Sequence, residues 1–188
     1  MNKKRIWLAL PTALLPYVAL FALATIFLST KLAFFEMTME SVFNSNGLYL
    51  LAAFLLYCVL CVALGVVGFV VGICKKWDAV SLAKFAMIVK LIQIPAYLVL
   101  FVLGLLLMLT IFTIPFSIVL FLVCSLTLAL TGLWVVSASI TALRQGICKP
   151  QEVVWTIIFQ FVFCADVIAS IIFYVTLKKK QKSEKTVK

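Results

Sequence analysis

The sequence predicts an all-α fold: a polytopic integral membrane helical bundle of about five transmembrane helices, with four or six as the alternatives. Three observations predict it. Hydrophobic residues make up 66% of the 188-residue chain and charged residues only 12%, against roughly 45–50% and 25% in an ordinary globular domain. The apolar residues are gathered into runs long enough to cross a ~30 Å hydrocarbon core. The basic residues, which leave a formal net charge of +10, mostly flank those runs, where Lys and Arg orient helices and meet anionic head groups. A water-soluble fold of this size could not hide so much apolar surface, so the lipid bilayer is the first expected partner.

The first run follows Met1-Asn2-Lys3-Lys4-Arg5 and differs from a secretory leader in its length. A leader's apolar region has about 7–15 residues, whereas this one reads as a retained span over residues 6–29. Pro11 and Pro16 predict a kink, since each removes a backbone donor. Residues 31–47, with Glu36, Glu40 and Asn44-Ser45-Asn46-Gly47, read as a polar loop. The second span covers 48–74 and stops at Lys75-Lys76-Trp77-Asp78.

Residues 91–143 carry no charge and would make roughly 80 Å of helix, so the chain must turn among them. Thr113-Ile114-Pro115-Phe116 is the place, because proline disfavours helix at the residue before it. Spans three and four then cover 91–112 and 116–143, with residues 84–93 as a partly interfacial lead-in. The fifth span, 153–177, is bracketed by Trp155 and Tyr174, about 28 Å apart on a continuous helix and matched to the two aromatic belts of one bilayer. Residues 1–177 thus form a single transmembrane domain and 178–188 a Lys-rich disordered tail.

Five crossings carry a conflict of charge. The N-terminus and the second and fourth loops share one side and hold the basic excess that marks a cytoplasmic face, which leaves the tail lysines on the other. Either the tail is translocated or one apolar segment does not cross, the proline-bearing first and third being the leading candidates. The expected location is a bacterial cytoplasmic membrane with the N-terminus inside.

No His is present, which removes the commonest metal ligand and the commonest general base. Walker-type loops, nucleophile elbows and paired carboxylates are absent as well. The expectation is therefore a protein that is no enzyme and holds no metal or cofactor. Nucleic acid is excluded as a partner, since no basic folded face is available.

Asp166 is the deepest charge-capable side chain, 11 positions after Trp155 and so about 16 Å along the fifth span. A carboxylate at that depth costs roughly 2.5–3.5 kcal/mol and must face the bundle interior, pair, or take up a proton. Gln160, Cys164 and Ser170 add polarity to the same span, and Lys90 and Gln93 are the polar residues entering the third. With Lys84 at the interface, Lys90 lies about 9 Å in and reaches Gln160 more readily than Asp166. Asp166, Gln160, Lys90 and Gln93 form the candidate ligand, ion or proton site. Cys58, Cys61, Gly65, Gly68 and Gly72 fall on one stripe of span two, a packing face for a helix of this chain, a membrane protein partner or a second copy in a homo-oligomer.

Cys58-Val59-Leu60-Cys61 resembles the redox Cys-x-x-Cys of the disulfide-forming quinone reductases of bacterial inner membranes, over four residues. In that family the pair sits near the outer end of a span, an arginine follows and a loop holds a second pair. Here glycines follow and no second pair is offered, so membrane thiol redox chemistry is the remote alternative. Chain size and span number are similar to those of the substrate-binding subunits of energy-coupling-factor transporters, an analogy of architecture. The leading expectation is a small transport or ligand-binding membrane subunit. A non-catalytic accessory or assembly protein, holding a partner through the glycine face, is the alternative.

Overall fold

Each apolar run of the sequence becomes helix. The computed structural model describes residues 3–74, 77–109, 111–160, 162 and 165–187, and no strand is found among them; Lys75, Lys76 and Cys164 lie outside the described residues. Among the described residues four helices are long and apolar enough to cross a membrane: α1 (Lys3–Leu28), α3 (Gly47–Cys74), α4 (Ala79–Met108) and α5 (Ile114–Arg144). They alternate in direction. Phe27 of α1 meets Phe116 at the start of α5, while Ala9 and Ala13 share a cluster with Ala142, Cys148 and Leu177 at the opposite end. The outward side chains are apolar, Leu56 and Leu98 being 72% and 64% exposed, which is what a surface facing hydrocarbon requires.

The helix α5 is the hub of the bundle. Half of its most apolar window is buried, against 17–33% for the other three. Its fit against α3 is set by the glycine stripe: a Cβ on Gly65 would lie 2.9 Å from Leu130, one on Gly68 would clash with the Trp134 ring, and one on Gly72 would strike Ser137. Trp134 is 1% exposed and meets Phe85 of α4 edge-on at 5.5 Å. In lipid, such close approach supplies the van der Waals contact that replaces a hydrophobic driving force between helices.

The turn predicted at Thr113 to Phe116 is present: a 3-10 turn, Ile111–Thr113, leads into α5, whose first turn holds Pro115. Three boundaries differ from the sequence reading. The loop expected at 31–47 contains the helix α2 (Ala33–Phe43), closed by Asn44 in the left-handed region, where Asn is tolerated. The third span begins at Ala79 and ends at Met108, where 91–112 was expected. Asp78 starts it early by accepting from the Ser81 N–H at 2.8 Å, an N-cap. Finally, the Lys-rich segment expected to be disordered continues as helix to Val187. It prolongs a helix already nucleated by buried residues and is tied down by Lys180 to Glu152 at 2.6 Å and Gln181 to Asp78 at 3.1 Å.

The fifth apolar run is folded as a hairpin and not as one continuous span. It forms α6 (Pro150–Phe159) and α7 (Ala165–Val187). On a continuous helix Glu152 and Lys180 would stand about 42 Å apart, yet they form an ion pair. Phe159 and Ala169 line one cleft with Trp155 and Phe173, so the two arms run side by side in opposite directions. The run enters and leaves the bundle at one end. Trp155 and Tyr174 therefore lie at similar depth on opposite arms, and do not mark two belts. The first and third runs, suspected of not crossing, are among the four full-length helices.

Four alternating long helices followed by a hairpin bring Lys3 and Val187, the ends of the described helices, to the same end of the bundle. Reporter fusions before Met1 and after Lys188 are expected to give the same answer; opposite answers would overturn the hairpin. Lys180 holds Glu152 below the usual carboxylate range, chiefly through their hydrogen bond, and Glu152 raises Lys180 in turn. The clamp is thus present above the carboxylate range, lost as pH falls through the lowered Glu152 value, and lost again as pH rises through the raised Lys180 value. Being partly exposed, it contributes at most about 1 kcal/mol. Glu152→Gln is expected to quicken limited proteolysis within 178–187 while leaving the thermal midpoint of the bundle nearly unchanged.

Candidate functional site

The break in the fifth run is what builds the site. Gln160 and Asp166, six residues apart, would project about 120° apart round a continuous helix and could not reach one point. The hairpin turn brings them together. Gln160 caps the C-terminal end of α6 and Asp166 occupies the first turn of α7. The negative end of one helix dipole and the positive end of the other therefore meet at the tip. From Gln181, hydrogen-bonded to Asp78, Asp166 is fifteen residues back along α7 and Lys90 twelve residues on along α4, or about 22 and 18 Å from that polar end. Both rulers place the tip well inside the bundle, at a distance comparable to half of a ~30 Å core; the sequence reading expects that depth for Asp166 on a continuous fifth helix.

Lys90 is 0% exposed and Asp166 3%. The Lys90 ammonium donates to Asp166 Oδ2 at 2.8 Å and to Gln160 Oε1. Lys90 thus reaches both residues, where the register from Lys84 favoured Gln160 alone, because the hairpin carries Asp166 back to its level. Ser170 donates to the Asp166 carbonyl at 2.7 Å and lies 3.3 Å from Gln160 Oε1. Asp166, Ser170, Phe173 and Leu177, spaced four, three and four, form the buried stripe of α7. A pair so enclosed is held by mutual charge and by the dipoles, since water contributes nothing.

Gln93, also 0% exposed, does not join the ion pair through a hydrogen bond. Its Nε2 donates to the Thr12 carbonyl at 3.0 Å and lies 3.4 Å from that of Ala13. Thr12 is four residues before Pro16, so its carbonyl is the one that proline leaves without a helical donor. Gln93 repairs that gap and locks α4 to α1. Tyr97 was missed by the sequence reading although Lys90, Gln93 and Tyr97 are spaced three and four along one face of α4. It lines, with Asp166, a cleft of about 300 Å³ between α4, α5 and α7.

The packing face is used within the chain. Cys61, Gly65, Gly68 and Gly72 are buried against Leu130, Trp134 and Ser137 of α5, and the half-buried Cys58 packs beside Cys61 and Leu15 of α1. Among the described residues no group of His, Cys, Asp and Glu side chains is arranged to hold a metal ion.

The chain belongs to a family described as a family of unknown function (DUF6652), whose sequence model matches residues 7–182. No curated protein and no solved structure matches it.

Proposed function

We propose that this member of the family is a non-enzymatic transport or ligand-binding membrane subunit that works through the buried site at the tip of the α6–α7 hairpin. The observation that carries the reading is the Lys90–Asp166 ion pair, enclosed at 0% and 4% side-chain exposure about 20 Å from the polar end of the bundle. Ionisable groups at such depth are costly and mark ligand, ion or proton paths. Interrupted helices whose ends converge at the midplane are a recurring way of building substrate sites in transporters. A purely structural role would be served as well by apolar residues of similar volume.

The proposed setting is a bacterial cytoplasmic membrane with both chain ends in the cytoplasm. Among the described residues, same-side termini put every Lys and Arg except Lys31 and the buried Lys90 toward one end of the bundle, the asymmetry that the positive-inside rule reads as cytoplasmic. The conflict created by five crossings disappears. The accessory reading is favoured less, because α5 side chains lie against Gly65, Gly68 and Gly72.

The test is gentle purification followed by native mass spectrometry of wild type and Asp166→Asn. A small molecule retained by the first and lost from the second is the expected result. An empty wild-type preparation, or a retained molecule indifferent to the substitution, would overturn the reading.

A further inference from the structure

We propose that the cleft beside Asp166 binds a single-chain apolar carboxylic acid drawn from the bilayer, its head sharing a proton with Asp166. The proposal rests on the intramembrane site being the working part of the molecule, and adds the class of ligand.

The body of the ligand is set by the walls. Ile94, Leu98 and Phe101 of α4, Leu128 of α5 and Val167 of α7 line the cleft, with Asp166 the one charge-capable carboxyl among the described lining residues. Its volume of about 300 Å³ is at the lower end of the range for ligand pockets. Leu98 and Phe101, at 64% and 54% exposure, form a rim on the lipid-facing side of α4. An occupant arrives sideways, from hydrocarbon.

The head is set by the hydrogen-bond inventory. Gln160 must present Oε1 to Lys90, since its amide nitrogen would set donor against donor. That fixes Gln160 Nε2, which is buried and has no acceptor. Lys90 has acceptors among the described residues for two of its three N–H groups. Among the described residues the hairpin tip is left with an unmet donor, Gln160 Nε2, while Gln93, a turn further along α4, is left with an unmet acceptor, Oε1. An alkylammonium would add more donors and contest Asp166 with Lys90. A carboxyl group brings the acceptors.

Charge decides the protonation state. The Lys90–Asp166 pair is already neutral, so a bare anion would leave uncompensated charge in a low-dielectric site, at high cost. The neutral acid leaves none. Its O–H donates to the Asp166 carboxylate, as two adjacent carboxyl groups share one proton. If the proton passes fully, the ligand carboxylate pairs with Lys90 and Asp166 becomes the acid; only O–H bonds are made and broken, and net charge is unchanged. Among the described residues, Tyr97 on α4 interacts electrostatically with Asp166 and with Cys124 on α5. The packed arms α6 and α1 supply the Gln160 amide and, through Gln93, the Thr12 carbonyl.

The experiment is equilibrium binding of decanoic acid, decylamine and decanol to the full chain in zwitterionic nanodiscs, with empty nanodiscs subtracted, between pH 5 and 8. Decanoic acid is expected to bind at least about tenfold more tightly than the other two, a difference of ~1.4 kcal/mol. Its affinity per total acid should fall about tenfold per pH unit above its own pKa, because only the neutral form enters. Leu98→Trp, which fills the cleft from the lipid side and leaves the ion pair intact, should weaken binding about tenfold or more. Tighter binding of the amine, a pH-independent affinity, no saturable binding, or an indifferent Leu98→Trp would each overturn the proposal. A ligand other than an acid, retained by wild type and lost from Asp166→Asn, would end this proposal while leaving the functional reading standing.

Discussion

Replacing Lys90 with Met is expected to lower the stability of the folded bundle by about 3–5 kcal/mol, because removing one member of an enclosed ion pair leaves the other charge without compensation. Lys90 and Asp166 stand at 2.8 Å with side-chain exposures of 0% and 4%, so solvent cannot move in to replace the lost partner. The effect should spread beyond α4. Without the ammonium, Gln160 and Asp166 have nothing to converge on, and the hairpin tip loses its anchor. The measurement is reversible unfolding in mixed micelles, read by Trp fluorescence. The double variant Lys90→Met with Asp166→Leu is the decisive companion: an apolar pair of similar volume is expected to restore most of the loss. A single variant that costs less than about 1 kcal/mol, the scale of an exposed pair, would show that the ion pair is not enclosed in the folded protein.

Gly68→Leu is expected to be comparably severe, for a steric reason. A Cβ at Gly68 already falls within the van der Waals envelope of Trp134, and Trp134 is 1% exposed and braced by Phe85. Overpacking of this kind costs about 1–3 kcal/mol and occasionally more. A branched side chain adds three further carbons, so separation of α3 from α5 and loss of folded yield are the expected outcome. Gly68→Ala should fall between Gly68→Leu and wild type. Gly47→Ala, where a Cβ meets nothing within 4 Å, should be silent. Folded yield by size-exclusion chromatography in detergent orders the four proteins. Equal yields would mean that α3 does not pack on α5 through this stripe.

The membrane class, the four long helices and the turn before Pro115 were legible because they depend on local composition and on proline geometry. The candidate residues were legible singly: Asp166, Gln160 and Lys90 stand out wherever apolar sequence is searched for polarity. Their meeting was not. Asp166 and Gln160 cannot share a face of one helix, and the turn between α6 and α7 contains neither Gly nor Pro. Its sequence, Gln160-Phe161-Val162-Phe163-Cys164, holds only residues of indifferent helix propensity. The contacts that hold the bent chain include one from Lys90, 70 residues away, and the ion pair of Glu152 with Lys180, and long-range contacts leave no short-range mark. The partnership of Gln93 with Thr12 was hidden for the opposite reason. Pro16 announces an orphaned carbonyl, but which neighbouring side chain repairs it is a matter of helix register. The Lys-rich segment was misjudged because polarity was taken for disorder, when Glu152 and Asp78 sat opposite as partners.

The hairpin also constrains how the chain is made. To the machinery that threads a nascent chain into the bilayer, residues 153–177 are as apolar as the runs before them, and on emerging from the ribosome nothing in them forbids a full crossing. The ammonium that meets the hairpin tip stands on α4, which is synthesised earlier. If that contact is what keeps the run from crossing, the first four helices must assemble before the fifth run commits itself, and the topology follows from a tertiary contact and not from hydropathy alone.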